Sequence, residues 1–204
     1  YDGDLWTTSD GKPVPQPMPS FTDPRFWPHY GGMCTRIAAL CKGEDVRYNA
    51  FIGVHAELKW SEWWSYDAST VRLWRETIAA QPRAAWLTDV AGDETLPAEP
   101  PVPGPTQGEP DRDPANRAWI AFREWCWRDA LDRFAAALRA GDPAARISCP
   151  LGESWRKESA SMSNLDYWGL TRHAEQIVHS YDFFWHAGDP AWHAAAAVAS
   201  FRGI

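Results

Sequence analysis

The sequence predicts an α/β fold in which parallel strands are joined by helical crossovers. Three short segments rich in β-branched and aromatic residues are typical of strands: 47–57, 146–149 and 176–181. Segments of helical periodicity separate them. Alternation of this kind favours parallel pairing, because each crossover returns the chain to the same end of the sheet. At 204 residues the chain has the length for one ordinary core.

The first predicted helix follows an extended, proline-rich segment, 1–21. Thr22 and Asp23 offer capping side chains before Pro24, which suits the first position of a helix. Apolar residues then recur at spacings of 4, 3, 4 and 3 until Gly43 ends the pattern. We expect this stripe to be the buried face of the helix. Its members are Phe26, Tyr30, Met33, Ile37 and Leu40.

The strand at 47–57 is apolar on both sides, as a buried parallel strand should be. A helix is predicted over 67–80, and a long one runs from Pro114 to about Ala140. The stretch 86–90 is a possible fourth strand. A last helix is expected from 189 to about 201. The residues expected on the inner faces are Val71, Trp74 and Ile78 in one helix and Ile120, Trp127, Leu131, Phe134 and Leu138 in the other.

A proline-rich excursion interrupts this alternation at 97–114. Seven of the 17 prolines in the chain fall there, together with two glycines. Such a composition is typical of an exposed connection.

The composition narrows the function classes. The net charge is −7 and no block of Lys or Arg stands out, which argues against a nucleic-acid or anionic-membrane surface. No apolar run approaches the roughly 20 residues of a membrane helix, and residues 1–4 are polar and acidic, unlike a signal peptide. We therefore expect a soluble chain. G-x-G-x-x-G and P-loop motifs are absent from the sequence, and we expect no nucleotide cofactor.

Tryptophan is the most unusual feature, with 14 among 204 residues. So many indoles indicate a thick aromatic core or a groove that stacks weakly polar ligands such as sugars. The strand 47–57 ends in His55 and Glu57, on the same side, and Trp60 and Trp63 follow. A carboxyl group walled by indoles is partly desolvated and can hold a proton for a departing glycosidic oxygen. The alternative is a helix-capping or salt-bridged glutamate.

These segments resemble the middle of a clan-A (β/α)8-barrel glycoside hydrolase, with β-galactosidase-like members the most similar. The resemblance is carried by Phe21–Trp27 and by the strand that ends in Ala56 and Glu57. In that clan the fourth strand ends in the acid/base glutamate, usually after Asn. Ala56 stands in the Asn position here, and His55 is the candidate for its sugar contact.

The resemblance extends to two later strands. Residues 146–153 are similar to the fifth strand and its loop, and 176–185 to the sixth, which often ends in an aromatic residue. The chain would then form part of one TIM-barrel domain, about strands 4 to 6 with their helices. The resemblance implies that the nucleophilic glutamate and the rest of the barrel lie outside these residues, in the same or another chain. The candidate substrate-binding residues are His55, Trp60, Trp63, Glu153, Tyr181 and Trp185. The alternatives are core packing for Trp60 and Trp185, a surface ion pair for Glu153 and a place in the barrel interior for Tyr181.

Three function classes follow. A glycosidase with Glu57 as acid/base is the main hypothesis, acting on a glycoside or oligosaccharide by a retaining mechanism. A carbohydrate-binding barrel without catalysis is the second. A metal-dependent barrel hydrolase is the third, although none of the six histidines forms an H-E-x-x-H or H-x-H motif.

Overall fold

The computed structural model of the chain describes residues 2–13, 18–49, 66–102, 112–152, 172–173 and 175–180. The helices of these ranges are α1 (Phe26–Leu40), α2 (Ala68–Ala79), α3 (Ala85–Ala91) and α4 (Pro114–Gly141). The strands are β1 (Arg47–Asn49), β2 (Arg146–Gly152) and β3 (Gln176–Ser180). The last predicted helix, 189–201, and most of the proline-rich excursion lie outside the described residues.

The three strands form one parallel sheet in the order β1-β2-β3, so the predicted parallel pairing is confirmed. Tyr48 of β1 pairs with Ile147 of β2 in this sheet. At the amino end of the central strand, the Arg146 guanidinium lies 2.8 Å from Asp45 and 3.7 Å from Glu175. The Arg146 side chain therefore links the start of β2 to the residues that directly precede β1 and β3.

The long helix α4 is the centre of the core. The Asp113 side chain accepts a hydrogen bond from the backbone N–H of Ala115, and Pro114 occupies the first turn, as the sequence predicts. Ile120 is only half-buried, whereas the other four predicted inner residues are buried. The buried apolar residues of α4 are Ala118, Trp119, Phe122, Cys126, Trp127, Ala130, Leu131, Phe134, Ala135 and Leu138.

Helix α1 packs on α4 mainly through small residues. The predicted inner stripe is correct for Phe26 and Tyr30, which pack against the core, and wrong for its last three members. Gly31, Cys34 and Ala38 are buried. Small side chains let the two backbones come close together. The buried face is turned by about a third of a helical turn from the predicted one. The aliphatic members of the predicted stripe are exposed: Met33 to 42%, Ile37 to 42% and Leu40 to 84%.

Helices α2 and α3 lie between β1 and α4 in the chain. The Asp67 side chain caps α2 by accepting from Thr70 N, and Trp74 is fully buried in the core, as predicted. Val71 and Ile78 are half-buried. The stretch 86–90 belongs to helix α3 and is not a strand. Its inward residues, Leu87 and Ala91, are four apart, which places them on one face of this helix.

The N-terminal segment is held against the start of α2 by carboxylates. Asp4 Oδ2 accepts from Ser69 N at 3.0 Å and from Ser69 Oγ at 2.5 Å. Asp23 accepts from the backbone N–H of Asp4 at 2.6 Å and from the Arg25 guanidinium at 2.7 Å. Asp23 is only 1% exposed, so this network belongs to the buried interior.

The described helices include none with both the length and the apolar character needed to cross a membrane.

Candidate functional site

The carboxyl ends of β1, β2 and β3 lie at one edge of the sheet, because the three strands are parallel. In parallel α/β architectures this is the edge at which ligands bind. Gly152, the last residue of β2, pairs with Ser180, the last residue of β3. The chain therefore leaves these two adjacent strands side by side.

The predicted site residues all follow one of these strand ends in the sequence. The group around Glu57 follows β1, Glu153 comes directly after Gly152, and Tyr181 comes directly after Ser180. Their side chains lie outside the described residues, so their roles stay predictions. The seven residues are the catalytic candidate Glu57 and the binding candidates His55, Trp60, Trp63, Glu153, Tyr181 and Trp185.

Tyr66 is the first described residue after the segment that carries Glu57. It forms hydrogen bonds with three parts of the chain that are distant in sequence. Its backbone N–H donates to Thr7 O at 3.0 Å. Its hydroxyl donates to Pro101 O at 3.0 Å and accepts from Trp119 Nε1 at 3.1 Å. Burial raises the pKa of this hydroxyl, although the charge of Arg123 and the Trp119 hydrogen bond oppose the shift. The group is therefore a neutral hydrogen-bond donor at physiological pH.

A buried cation lies close to this hydroxyl. The Arg123 side chain is 1% exposed, and its guanidinium carbon lies 5.7 Å from the centre of the Trp119 ring. Burial lowers its pKa to about 10, while the partial charge of Tyr66 acts in the opposite direction. The guanidinium remains charged near neutral pH.

Sequence reasoning missed Tyr66 and Arg123. Arg123 stands four residues from Trp119 and four from Trp127, in the middle of the buried face of α4. An arginine at such a position on an apolar helical face is a signal that could have been used. Tyr66 carried no comparable signal, because its partners come from distant parts of the chain.

A cavity of about 370 Å³ opens at the opposite edge of the sheet. Its lining includes Val46, which precedes β1, and Arg146, which begins β2. In open parallel α/β sheets ligands bind outside the carboxyl ends of the strands, which lie at the other edge. We therefore do not identify this cavity with the candidate site. The remaining lining residues are Lys42, Gly43, Glu44, Asp142, Ala144 and Ala145.

A charged cluster joins α4 to the turn that leads into β3. The Asp132 carboxylate forms a two-point ion pair with the Arg172 guanidinium and lies 2.6 Å from His173 Nε2. On the other side of the ring, His173 Nδ1 lies 3.2 Å from Arg139 Nη1. Arginine can only donate, so Nδ1 accepts and Nε2 carries the proton that points to Asp132. This cluster fixes the turn to the helix.

No group of three or more His, Cys, Asp or Glu side chains within the described ranges is arranged to hold a metal ion.

Comparison of the chain with protein-family models, curated proteins and solved structures finds no match. The resemblance to clan-A glycoside hydrolases therefore stays a hypothesis carried by the sequence pattern.

Proposed function

We propose that the chain is a glycoside hydrolase, or the central part of one, in which Glu57 is the general acid/base. One observation carries the proposal: three parallel strands are neighbours in the same order in which they follow one another along the chain. A (β/α)8 barrel has this arrangement, and its catalytic residues follow the carboxyl ends of several strands. The candidate residues of this chain follow three such ends.

In this proposal Glu57 protonates the departing glycosidic oxygen and then activates water. Trp60, Trp63 and Trp185 stack on the sugar, whereas His55, Glu153 and Tyr181 bind its hydroxyl groups. Glu153 and Tyr181 each follow a residue of the Gly152–Ser180 pair, which supports assigning them to one subsite.

A retaining reaction needs a second carboxyl group roughly 5–5.5 Å from the first. We place it outside these residues, in the remaining part of the barrel. Two features support further strand–helix units beyond β1. In the described sheet β1 is an outer strand, and the neighbouring helix α1 exposes the apolar residues Met33, Ile37 and Leu40. A further unit would pair with the strand and cover the helix.

The test is Glu57→Gln in a polypeptide that holds the whole barrel, assayed with two aryl glycosides. A poor leaving group needs protonation and a good one does not. We expect the variant to lose about 100-fold or more in kcat/KM with the poor leaving group and far less with the good one. Glu99→Gln is the control, because Glu99 is an exposed glutamate whose ion pair is with Arg75.

Two results would count against the assignment. Equal hydrolysis of the poor leaving group by Glu57→Gln and the wild type would remove Glu57 from catalysis. Sugar binding without any hydrolysis by the wild type would instead identify a carbohydrate-binding barrel.

A further inference from the structure

We propose that His173 is a pH-sensitive link between α4 and the turn before β3: its neutral ring joins Arg139 to Asp132, and a proton taken up at Nδ1 releases Arg139. The ring lies between the two side chains, with Nε2 2.6 Å from Asp132 Oδ1 and Nδ1 3.2 Å from Arg139 Nη1. The link would operate whether or not the protein is an enzyme.

The two partners of the ring lie on one face of α4. Asp132 and Arg139 are seven positions apart, almost two full turns, so their side chains leave the helix in nearly the same direction. Their separation along the helix axis is roughly 10 Å, which leaves room for a side chain between them. His173 fills this place from the turn before β3. Because the backbone N–H of Glu175 donates to Ile147 O of β2 at 2.9 Å, the ring connects α4 to the start of the β2–β3 pairing.

Only one protonation state of the ring satisfies both partners. A carboxylate accepts hydrogen bonds and a guanidinium donates them. The neutral ring with its proton on Nε2 donates to Asp132 and accepts from Arg139. A charged ring carries a hydrogen on Nδ1 as well, so Nδ1 and Arg139 Nη1 then present hydrogens to each other across 3.2 Å. The bond to Arg139 is lost, whereas the bond to Asp132 becomes charge-assisted.

The charges around the ring act in the same direction. Among the described residues, the charged groups that face the ring are Asp132 and Arg139 from α4 and Arg172 from its own turn. The Asp132 carboxylate already forms a two-point ion pair with Arg172. A charged ring would therefore be a third cation beside one carboxylate, and it would repel Arg139.

Arg139 is the partner that can move. The His173 side chain is 25% exposed and stays bound to Asp132, whereas the Arg139 side chain is exposed. Arg139 also stands in the last turn of α4, where the carbonyl oxygens of the helix end stabilise a cation. The released guanidinium therefore has a second favourable position close by.

The ring is the group of this cluster that changes charge near neutral pH. Histidine ordinarily does so between about pH 5 and pH 8, and arginine keeps its charge throughout. Burial acts to raise the pKa of Asp132, but hydrogen bonds from Arg172 and His173 outweigh it and hold the pKa below its usual range. The carboxylate is therefore charged over the whole interval.

NMR of the ring nitrogens tests the protonation states in the wild-type chain, because ¹⁵N shifts distinguish a nitrogen that carries a hydrogen from one that does not. His173→Phe identifies the signals of this ring among those of six histidines. Near pH 8 we expect a hydrogen on Nε2 and none on Nδ1. Near pH 5 we expect hydrogens on both nitrogens.

A double-mutant cycle measures the link itself, by urea denaturation near pH 8 and near pH 5. Arg139→Met removes the guanidinium and keeps an aliphatic stem, and His173→Phe keeps a ring without nitrogens. We expect the coupling of the two side chains to raise the folding equilibrium constant about threefold at the higher pH. At the lower pH the coupling should vanish or change sign.

The matched control is the same cycle with Arg133→Met in place of Arg139→Met. Arg133 is another exposed arginine of α4, and its partner is Asp129 at 2.8 Å. We expect no coupling of Arg133 to His173 at either pH.

Three results would overturn the link. A hydrogen on Nδ1 near pH 8 would show that the ring does not accept from Arg139. A ring that is still neutral near pH 5, or a coupling that is absent or equal at both pH values, would show that protonation of His173 does not control the contact.

Discussion

Gly141, at the end of α4, lies directly against the backbone carbonyl of Thr35 in α1. A Cβ atom on Gly141 would collide with that oxygen and would come within 2.9 Å of Ala39 N. The Thr35 hydroxyl also donates to Ala137 O at 2.8 Å, so the two helices meet through polar backbone groups. The missing side chain at position 141 therefore sets the distance between α1 and α4.

We expect Gly141→Ala to lower the free energy of unfolding by about 2 kcal/mol, because the backbones of α1 and α4 must separate. Urea denaturation would measure the loss. The control is Gly32→Ala in α1, where an added Cβ meets only the tip of Arg36, at 3.9 Å. That change should stabilise the protein by up to about 1 kcal/mol, through helix propensity. An equal effect of the two substitutions would contradict the close contact.

The sequence was most informative where one local rule determined the structure. Pro114 begins α4, as the capping rules predict, α4 ends at Gly141, next to its predicted end, and the alternation of elements predicted the parallel sheet. The sequence did not predict the buried face of the second half of α1, because periodicity detects large apolar residues. The contact with α4 there uses small residues such as Ala38. Trp86 was ambiguous because a run of seven residues is too short for helical periodicity to show.

In the candidate site, too, local features were predictable from the sequence and long-range contacts were not. The strand ends were predictable, since they depend on neighbours in sequence. The hydrogen bonds of Tyr66 were not predictable, since its partners Thr7, Pro101 and Trp119 are brought together only by the tertiary fold.

Asp4 should anchor the N-terminal segment to α2. Asp4→Ala removes the acceptor of Ser69 N and Ser69 Oγ, and we expect a loss of about 1–2 kcal/mol in the free energy of unfolding. Limited proteolysis should then cleave the N-terminal segment faster. Asp10→Ala is the control, because Asp10 is exposed and its ion pair with Lys12 is local. Equal cleavage of both variants would show that Asp4 is not the anchor.

Asp132 should make the free energy of unfolding depend on pH under acidic conditions. Burial acts to raise the pKa of this carboxyl, but hydrogen bonds from Arg172 and His173 outweigh it and hold the pKa below its usual range. A group with a lowered pKa in the folded state stabilises the protein above the unfolded pKa, about 3.9 for aspartate, and loses that contribution as the pH falls through the folded value.

We therefore expect Asp132→Asn to be less stable than the wild type at pH 7, by about 1 kcal/mol or less because the pair is partly exposed. The difference should shrink as the pH falls below about 4. Denaturant titrations at several pH values would measure it. A difference that stays constant down to the lowest pH would show that the carboxylate charge is not the cause.

Trp74 should contribute more to the core than Trp86. Trp74 is fully buried and its indole donates to Pro97 O at 3.1 Å, so Trp74→Phe leaves a gap and a carbonyl without this donor. We expect a loss of about 2–3 kcal/mol in the free energy of unfolding. Trp86 is half-buried and stacks on Trp125 at 6.0 Å, a contact that phenylalanine can retain. Trp86→Phe should cost less than about 1 kcal/mol, and the opposite order would contradict this core.

The orientation of α1 can be tested with two adjacent residues. Ala38 is fully buried against α4, whereas Ile37 is 42% exposed. Ala38→Gln must place a long polar side chain in a close helix contact, and we expect it to cost about 3 kcal/mol or more in the free energy of unfolding. Ile37→Gln removes partly exposed apolar surface and should cost about 1 kcal/mol or less. If the stripe that contains Ile37 were the inner face, the order of the two losses would be reversed. Urea denaturation of both variants against the wild type therefore decides which face of α1 packs on α4.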